Sequence, residues 1–392
     1  MITTVASGAS LGLAANSTGI TTPELISNGG SLDLNFGTFN PSNPVPLIAT
    51  TLTATSNTVI NISGSSIPVG TIDIIDYGTT SGTFTLGTLP NNMAATLNDT
   101  GSVLQLIVTS PSATSYTWSV GTGDWDTTSN SWNTNSAAYS EPAVVTFPAT
   151  AAGVVTLTAD RAPLSVVIDT TTSYFFDGPG LISGATGITK SGSGLAYFTA
   201  ANSYSGNLSI QAGAVVKELA DATSGNIVIA TNASMALSEN VTDGSGQTIT
   251  LSGPGLLATN GPFAAVQRGA LTSLLGNNTW AGNIVFDATA NTRIGVQDNA
   301  SLTITGSITE SVAGSIMAFR HGNTAGSNIT LSSASNNWTG STQIYGGGGA
   351  VILGVDNALP TGALLQVGTS GIPGTSTLDL NGFQQTAAGL SR

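Results

Sequence analysis

The chain has 392 residues, of which 40% are hydrophobic and 7% charged, with no cysteine and a net charge of −13. That apolar content can build a large core, which excludes the low-hydropathy, high-charge disordered class. The missing cysteines exclude disulfides and thiolate metal sites. Seven Lys and Arg against twenty acids exclude the clustered cations that nucleic acid or an anionic membrane surface demands.

In chain order the predicted elements are short alternating runs: Ser31 to Phe36, Thr58 to Ile62, Thr71 to Ile75, Thr83 to Leu86 and Val103 to Val108. They continue with Val154 to Leu157, Leu164 to Ile168, Asn226 to Ile229, Thr248 to Leu251, Ser301 to Ile304, Asn328 to Leu331 and Ala350 to Leu353. Each is bounded by Gly, Asn, Ser or Asp, and no apolar pattern of helical period survives the frequent Gly and Pro, so the class is all-β. The most apolar stretch, Ala143 to Thr158, is broken by Thr, Pro and Gly and reads as strands rather than a membrane span. Met1-Ile2-Thr3-Thr4 lacks the basic and apolar regions of a signal peptide. Three segments are expected: 1–110, a β segment continuous with the rest of the β body; 111–140, carrying Trp118, Trp125 and Trp132 at a spacing of seven; and 141–392, a run of strand–turn units.

Two phrases recur. Asn-x-Trp/Tyr-x-Gly stands at Asn202-Ser203-Tyr204-Ser205-Gly206, Asn278-Thr279-Trp280-Ala281-Gly282 and Asn336-Asn337-Trp338-Thr339-Gly340. Leu-Asp-Leu-Asn stands at Leu32-Asp33-Leu34-Asn35 and Leu378-Asp379-Leu380-Asn381. Repetition in a chain rich in Gly, Thr, Ser and Asn predicts a β-solenoid, each coil burying its apolar face on the next. At roughly 20–25 residues per coil the chain makes about 16–20 coils, on the order of 80–95 Å long.

Ile188-Thr189-Lys190-Ser191-Gly192-Ser193-Gly194-Leu195, followed by Asn202 to Gly206 and then Gly213, resembles the autotransporter-associated β-strand repeat. The stretch from Asn336 through Asp356-Asn357-Ala358-Leu359-Pro360 to Gly382 is similar to a longer unit of that family. Trp118 to Trp132 with Val144-Val145-Thr146-Phe147 resembles its lead-in; Gly70 to Tyr77 and Phe84 to Pro90 resemble its trailing segment. The resemblance implies a right-handed parallel β-helix in a secreted or surface-displayed bacterial protein. The family's trailing segment comes first here, as in a fragment of a larger gene or a subunit whose last coil meets the first coil of another copy.

Chemistry-bearing groups are sparse. Asp124-Trp125-Asp126 sets two carboxylates and an aromatic together, an arrangement suited to holding or cleaving a glycan; a plain turn after Gly121-Thr122-Gly123 is the competing reading. Asp73 and Asp76, three apart on a strand, are expected on opposite faces. Arg161, Arg268, Arg293 and Arg320 are isolated in sequence. His321 is the sole histidine, too few for a zinc site, and is expected on a surface turn. Gly8-Ala9-Ser10-Leu11-Gly12 matches a nucleophile motif without its strand-to-helix setting, and Gly346 to Gly349 lacks the Lys-Ser/Thr of a phosphate loop. The Thr156/Thr158, Thr248/Thr250 and Thr303/Thr305 pairs read as exposed strand threonines.

The expectation is therefore a non-enzymatic extracellular structural protein without cofactors, a stalk or filament subunit. It would assemble head to tail through end coils carrying Leu32, Leu34, Leu378 and Leu380, with further copies of itself as partners. Asn202, Tyr204, Gly206, Asn278, Trp280, Gly282, Asn336, Trp338 and Gly340 would serve stacking. The alternative is an adhesin-like passenger, or a β-helix that binds or cleaves surface glycans. No nucleic-acid partner and no membrane span are expected.

Overall fold

A computed structural model describes residues 2–14, 20–40, 46–65, 67–90, 93–133, 136–258, 261–264, 266–287, 291–368 and 374–391. The chain is nearly all β, with parallel strands stacked into a β-solenoid of about 15 turns. Two compact units divide it: Met1–Ser115 with Ser140–Val144, and Tyr116–Tyr139 with Val145–Arg392. The predicted 111–140 segment is thus split between them. Among the described residues no helix is long and apolar enough to cross a membrane.

In the first unit, one wall stacks Ile2–Val5, Ile20–Asn28, Leu47–Ser56 and Gly70–Ser81 in parallel. The other wall stacks Ser10–Ala14, Ser31–Thr38, Thr58–Ser65 and Phe84–Leu86, also in parallel. Strand alternation turns Leu32, Leu34 and Phe36 inward, where Leu32 meets Ile60 and Leu34 meets Ile62 in register. Leu32 and Leu34 are fully buried between the Ser10–Ala14 and Thr58–Ser65 strands. They lie one coil in from the edge, not on it. The parallel run ends differently from a plain solenoid: Val103–Ser110 pairs antiparallel with both Gly70–Ser81 and Ala94–Asp99.

In the second unit, one wall carries Ser165–Asp169, Gly187–Ser191, Leu208–Ile210, Ile227–Ile229, Thr248–Leu251, Asn283–Phe286 and Ile308–Glu310. Its register places Ile188, Leu208, Ile227, Ile249, Ile284 and Ile308 in one inward column, buried throughout. A second wall runs through Ala214–Lys217, Ser234–Ser238, Leu271–Trp280, Thr292–Val296, Met317–Arg320, Thr342–Tyr345 and Leu364–Val367 to Gly389–Ser391. A third wall starts at Thr242–Asp243 and continues through the far half of Leu271–Trp280, Ala300–Ile304, Ile329–Leu331 and Val351–Leu353 to Leu378–Asp379.

Two features frame the second unit's polar chemistry. Trp118, Trp125 and Trp132 close one end of its core, where Trp118 meets Trp132 edge to face at a centroid distance of 5.0 Å and Trp125 meets Phe147 and Tyr139 edge to face at 5.3 and 5.6 Å. The segment between Thr248–Leu251 and Leu271–Trp280 leaves the coil and folds back outside it. Its Leu256 and Phe263 pack on Ala214, Val216 and Ala236, so these strands are buried on both faces.

Candidate functional site

The three Asn-aromatic-Gly phrases are one recurring joint between coils. In each, the Asn Oδ1 accepts the backbone N–H of a residue in the coil below: Ile182 at 3.0 Å for Asn202, Val241 at 2.7 Å for Asn278, Ile308 at 2.7 Å for Asn336. The carbonyl of that same residue accepts the next phrase N–H, from Ser203, Thr279 and Asn337 at 2.9, 2.8 and 2.8 Å. The Asn Nδ2 donates to carbonyls of Ala200, Leu275 and Ser333 respectively, which an aspartate could not do. Tyr204, Trp280 and Trp338 then point into the core, each at most 2% exposed. A Cβ on Gly206, Gly282 or Gly340 would stand 2.3, 2.3 or 2.0 Å from the carbonyl oxygen of Thr186, Gly244 or Ser315, so the coils approach only because that position is Gly. The rings do not stack on one another, because the phrases lie several coils apart; Trp338 packs instead on Phe286 and Phe319.

Both lysines are buried in the same service. Lys190, in the Lys-x-Gly-x-Gly turn, donates to the carbonyls of Ser191, Gly192 and Ala212 at 2.6, 2.8 and 3.2 Å; burial pulls it down to about 8. Lys217 Nζ lies 2.8 Å from Asp221 Oδ2 and 2.5 Å from Asp243 Oδ2, all three side chains at most 1% exposed. Burial alone would lower Lys217, but the two carboxylates outweigh it and hold the ammonium above its ordinary range. Asp221 is raised by burial; its Oδ1 accepts the Asn202 N–H at 2.8 Å. The cluster thus ties three successive coils.

The other sequence candidates settle as structure. Trp125 is fully buried, and Asp126 is occupied by the N–H and hydroxyl groups of Thr128 and Ser129, which removes the glycan reading of Asp124-Trp125-Asp126. Asp73 and Asp76 are not on opposite faces. A bulge opposite Leu104/Gln105 leaves Ile74 and Ile75 both buried, so both carboxylates face out. Asp76 is raised first by burial and then by the charge of Asp73. His321 is buried rather than on the surface; its Nδ1 meets the Gly322 carbonyl at 3.1 Å and its Nε2 accepts the Thr377 N–H at 3.3 Å. Ser10 donates its hydroxyl to Asp33. The N–H groups of Gly347, Gly348 and Gly349 all converge on the Gly322 carbonyl, a packed turn.

One constellation is left over, and sequence reading missed it. Arg268, Arg293, Arg320 and Tyr345 succeed one another at 25, 27 and 25 residues, one coil each, so residues isolated in sequence meet on the outer face of the second wall, beside the returning segment. Arg320 is in register with Gly295 and Tyr345. The Arg293 and Arg320 guanidinium carbons stand 5.3 and 5.9 Å from the Tyr345 ring centroid. Both Nη1 groups donate to the Gln267 carbonyl, at 2.6 and 3.2 Å. Arg268, 4% exposed, reaches Asp298 at 3.4 Å. Its Nε and Nη1 and the Nε of Arg293 and Arg320 are buried without hydrogen-bond partners. Burial, then the charges of Arg268 and Arg293, pulls Arg320 down to about 10. Burial works to raise Asp298, but Asn323 and Arg268 outweigh it and hold the carboxyl below its usual range. Alongside, Ala318 separates Arg293 from Gln343 in register, and in that gap Asn291 Nδ2 donates to Gln343 Oε1 at 2.8 Å while Gln343 Nε2 donates to Gln366 Oε1 at 3.1 Å. The Asn291 Oδ1 is buried and unpaired. The arrangement supplies positive charge and hydrogen-bond donors. No family model, curated protein or solved structure matches the chain. Among the described residues no group of three or more His, Cys, Asp or Glu is placed to hold a metal.

Proposed function

We propose that this chain is a structural β-solenoid of an extracellular or surface-displayed bacterial protein, a length of stalk or filament built by adding coil on coil. The observation that carries the reading is where the distinctive residues go. The Asn-aromatic-Gly phrases, Lys190, and Lys217 with its two aspartates all serve joints between coils. A chain whose repeated polar residues are consumed in stacking is organised for length and stiffness. The resemblance of 188–213 to the autotransporter-associated repeat supports the surface placement.

Growth by further coils suits the exposed edge. Among the described residues, Leu378–Asp379 pairs with Val351–Leu353 and Gly389–Ser391 with Leu364–Val367, while Leu380 and Leu390 are 45% and 74% exposed. The next coil, from a longer chain or from a second copy meeting its own Ile2–Val5 edge, would cover them. Negative-stain electron microscopy over a range of concentrations tests self-assembly. Filaments with an axial repeat of one molecule, lost when prolines replace alternate residues of Leu378 to Asn381, are the expected result. Separate short particles at every concentration would rule out head-to-tail assembly by this chain.

A further inference from the structure

We propose that the ladder of Arg268, Arg293, Arg320 and Tyr345 is a binding site for an acidic saccharide: a hydroxyl-rich chain carrying carboxylates. Such binding is independent of the structural role. Three of the chain's seven Lys and Arg residues converge where a single carboxylate, Asp298, answers them. In a protein of net charge −13 that local excess is costly unless an anion arrives to balance it. Guanidinium forks match carboxylate oxygens, and they do so most strongly where water is excluded.

The unpaired atoms specify more than charge. Buried donors normally have partners, yet Arg268 Nε and Nη1 and the Nε of Arg293 and Arg320 have none, and neither does the acceptor Asn291 Oδ1. A bare anion would satisfy the donors and leave the acceptor empty. A sugar acid offers both an oxyanion and hydroxyl donors, and the Gln343 and Gln366 amides extend the polar strip for neighbouring hydroxyls. An acidic peptide supplies carboxylates but few hydroxyls, so it is the poorer match. Since Arg293, Arg320 and Tyr345 sit on successive coils, the site spans about 10 Å along the solenoid at roughly 4.8 Å per coil. The ligand is therefore an extended chain running across the coils, against the wall formed by the returning segment.

Calorimetric titration of the whole protein decides the matter, using tetramers of galacturonic and of mannuronic acid, the tetramer of galactose, and polyglutamate. At least one acidic tetramer should bind, the neutral tetramer and polyglutamate should bind more than tenfold more weakly, and added salt should weaken the interaction. Arg293→Gln and Arg320→Gln should each weaken it about tenfold or more. Arg161→Gln should leave it unchanged, because that guanidinium is held by the Trp125 and Asp160 carbonyls. Melting curves check that the variants fold; should an arginine variant fail, Asn291→Ala tests the same site and should weaken binding of the sugar acid. Failure of both acidic tetramers to bind, equal binding of the neutral one, or full affinity in the folded variants would overturn the proposal. Tighter binding of polyglutamate would overturn the saccharide assignment.

Discussion

Asn278 makes the residue-scale logic concrete. Its Oδ1 takes the Val241 N–H and its Nδ2 reaches Ser273 Oγ and the Leu275 carbonyl, and Asn278 itself is 1% exposed. Asn278→Ala strands a buried N–H and should destabilise the protein by about 1–3 kcal/mol. Gly282→Ala, which drives a methyl against the Gly244 carbonyl, should cost about as much by overpacking. Urea denaturation of each variant measures both, and an unchanged midpoint would refute the joint. His321 adds a pH term. A carbonyl partner at Nδ1 and an N–H donor at Nε2 require the neutral ring protonated at Nδ1. Burial lowers its folded pKa below the unfolded value of about 6.5. The stability it contributes is therefore complete above that value and is lost as pH falls through the lower folded value. Protonating Nε2 breaks the Thr377 bond, so hydrogen-exchange protection at Thr377 to Asn381 should drop as the pH is lowered below about 6.5, and His321→Phe should remove the pH dependence.

At the scale of elements, the inward Lys217 on Ala214–Lys217 is a junction between coils that hydrophobic packing alone would not supply. Removing one partner of a buried pair costs about 3–5 kcal/mol, because a charge is left unanswered in the core. Lys217→Met should lose about that much stability, and adding Asp243→Leu should recover part of it, measured by a double-mutant cycle in urea. Strictly additive losses would mean the pair does not couple. Asp243 is also in register with Trp280, and Trp280 covers Gly244, so one repeated phrase roofs the cluster while Asn202 of another holds Asp221.

For the whole molecule, net charge sets the repulsion between copies. The chain has a formal net charge of −13, and the sequence pI is about 4.1. As pH approaches that value, repulsion between copies vanishes and association is favoured. Light scattering should rise sharply above its neutral-pH level near pH 4 at low salt, as side-to-side association adds to end-to-end growth; scattering that is flat across that range would show that charge does not limit side-to-side contact.

Fold class and building rule are legible in the order of residues. Alternating runs such as Ser31 to Phe36 bury every second residue whatever the partner strand, and the Asn-aromatic-Gly phrases mark coil joints because each pairs a side-chain amide that can bond a neighbouring backbone with an inward ring and a Gly that allows close approach. Which coil each residue joins depends on how the turns stack in three dimensions. Coil lengths vary: strands meet at 22 residues for Ile2 and Glu24 but at 28 for Leu32 and Ile60. No fixed period could therefore predict that the bulge turns Asp73 and Asp76 to one side, or that His321 is sealed beneath Thr377. The arginine ladder was legible only as three isolated residues until the coil length of 25–27 residues stacked them, because a solenoid converts sequence distance into contact once the length of each turn is known.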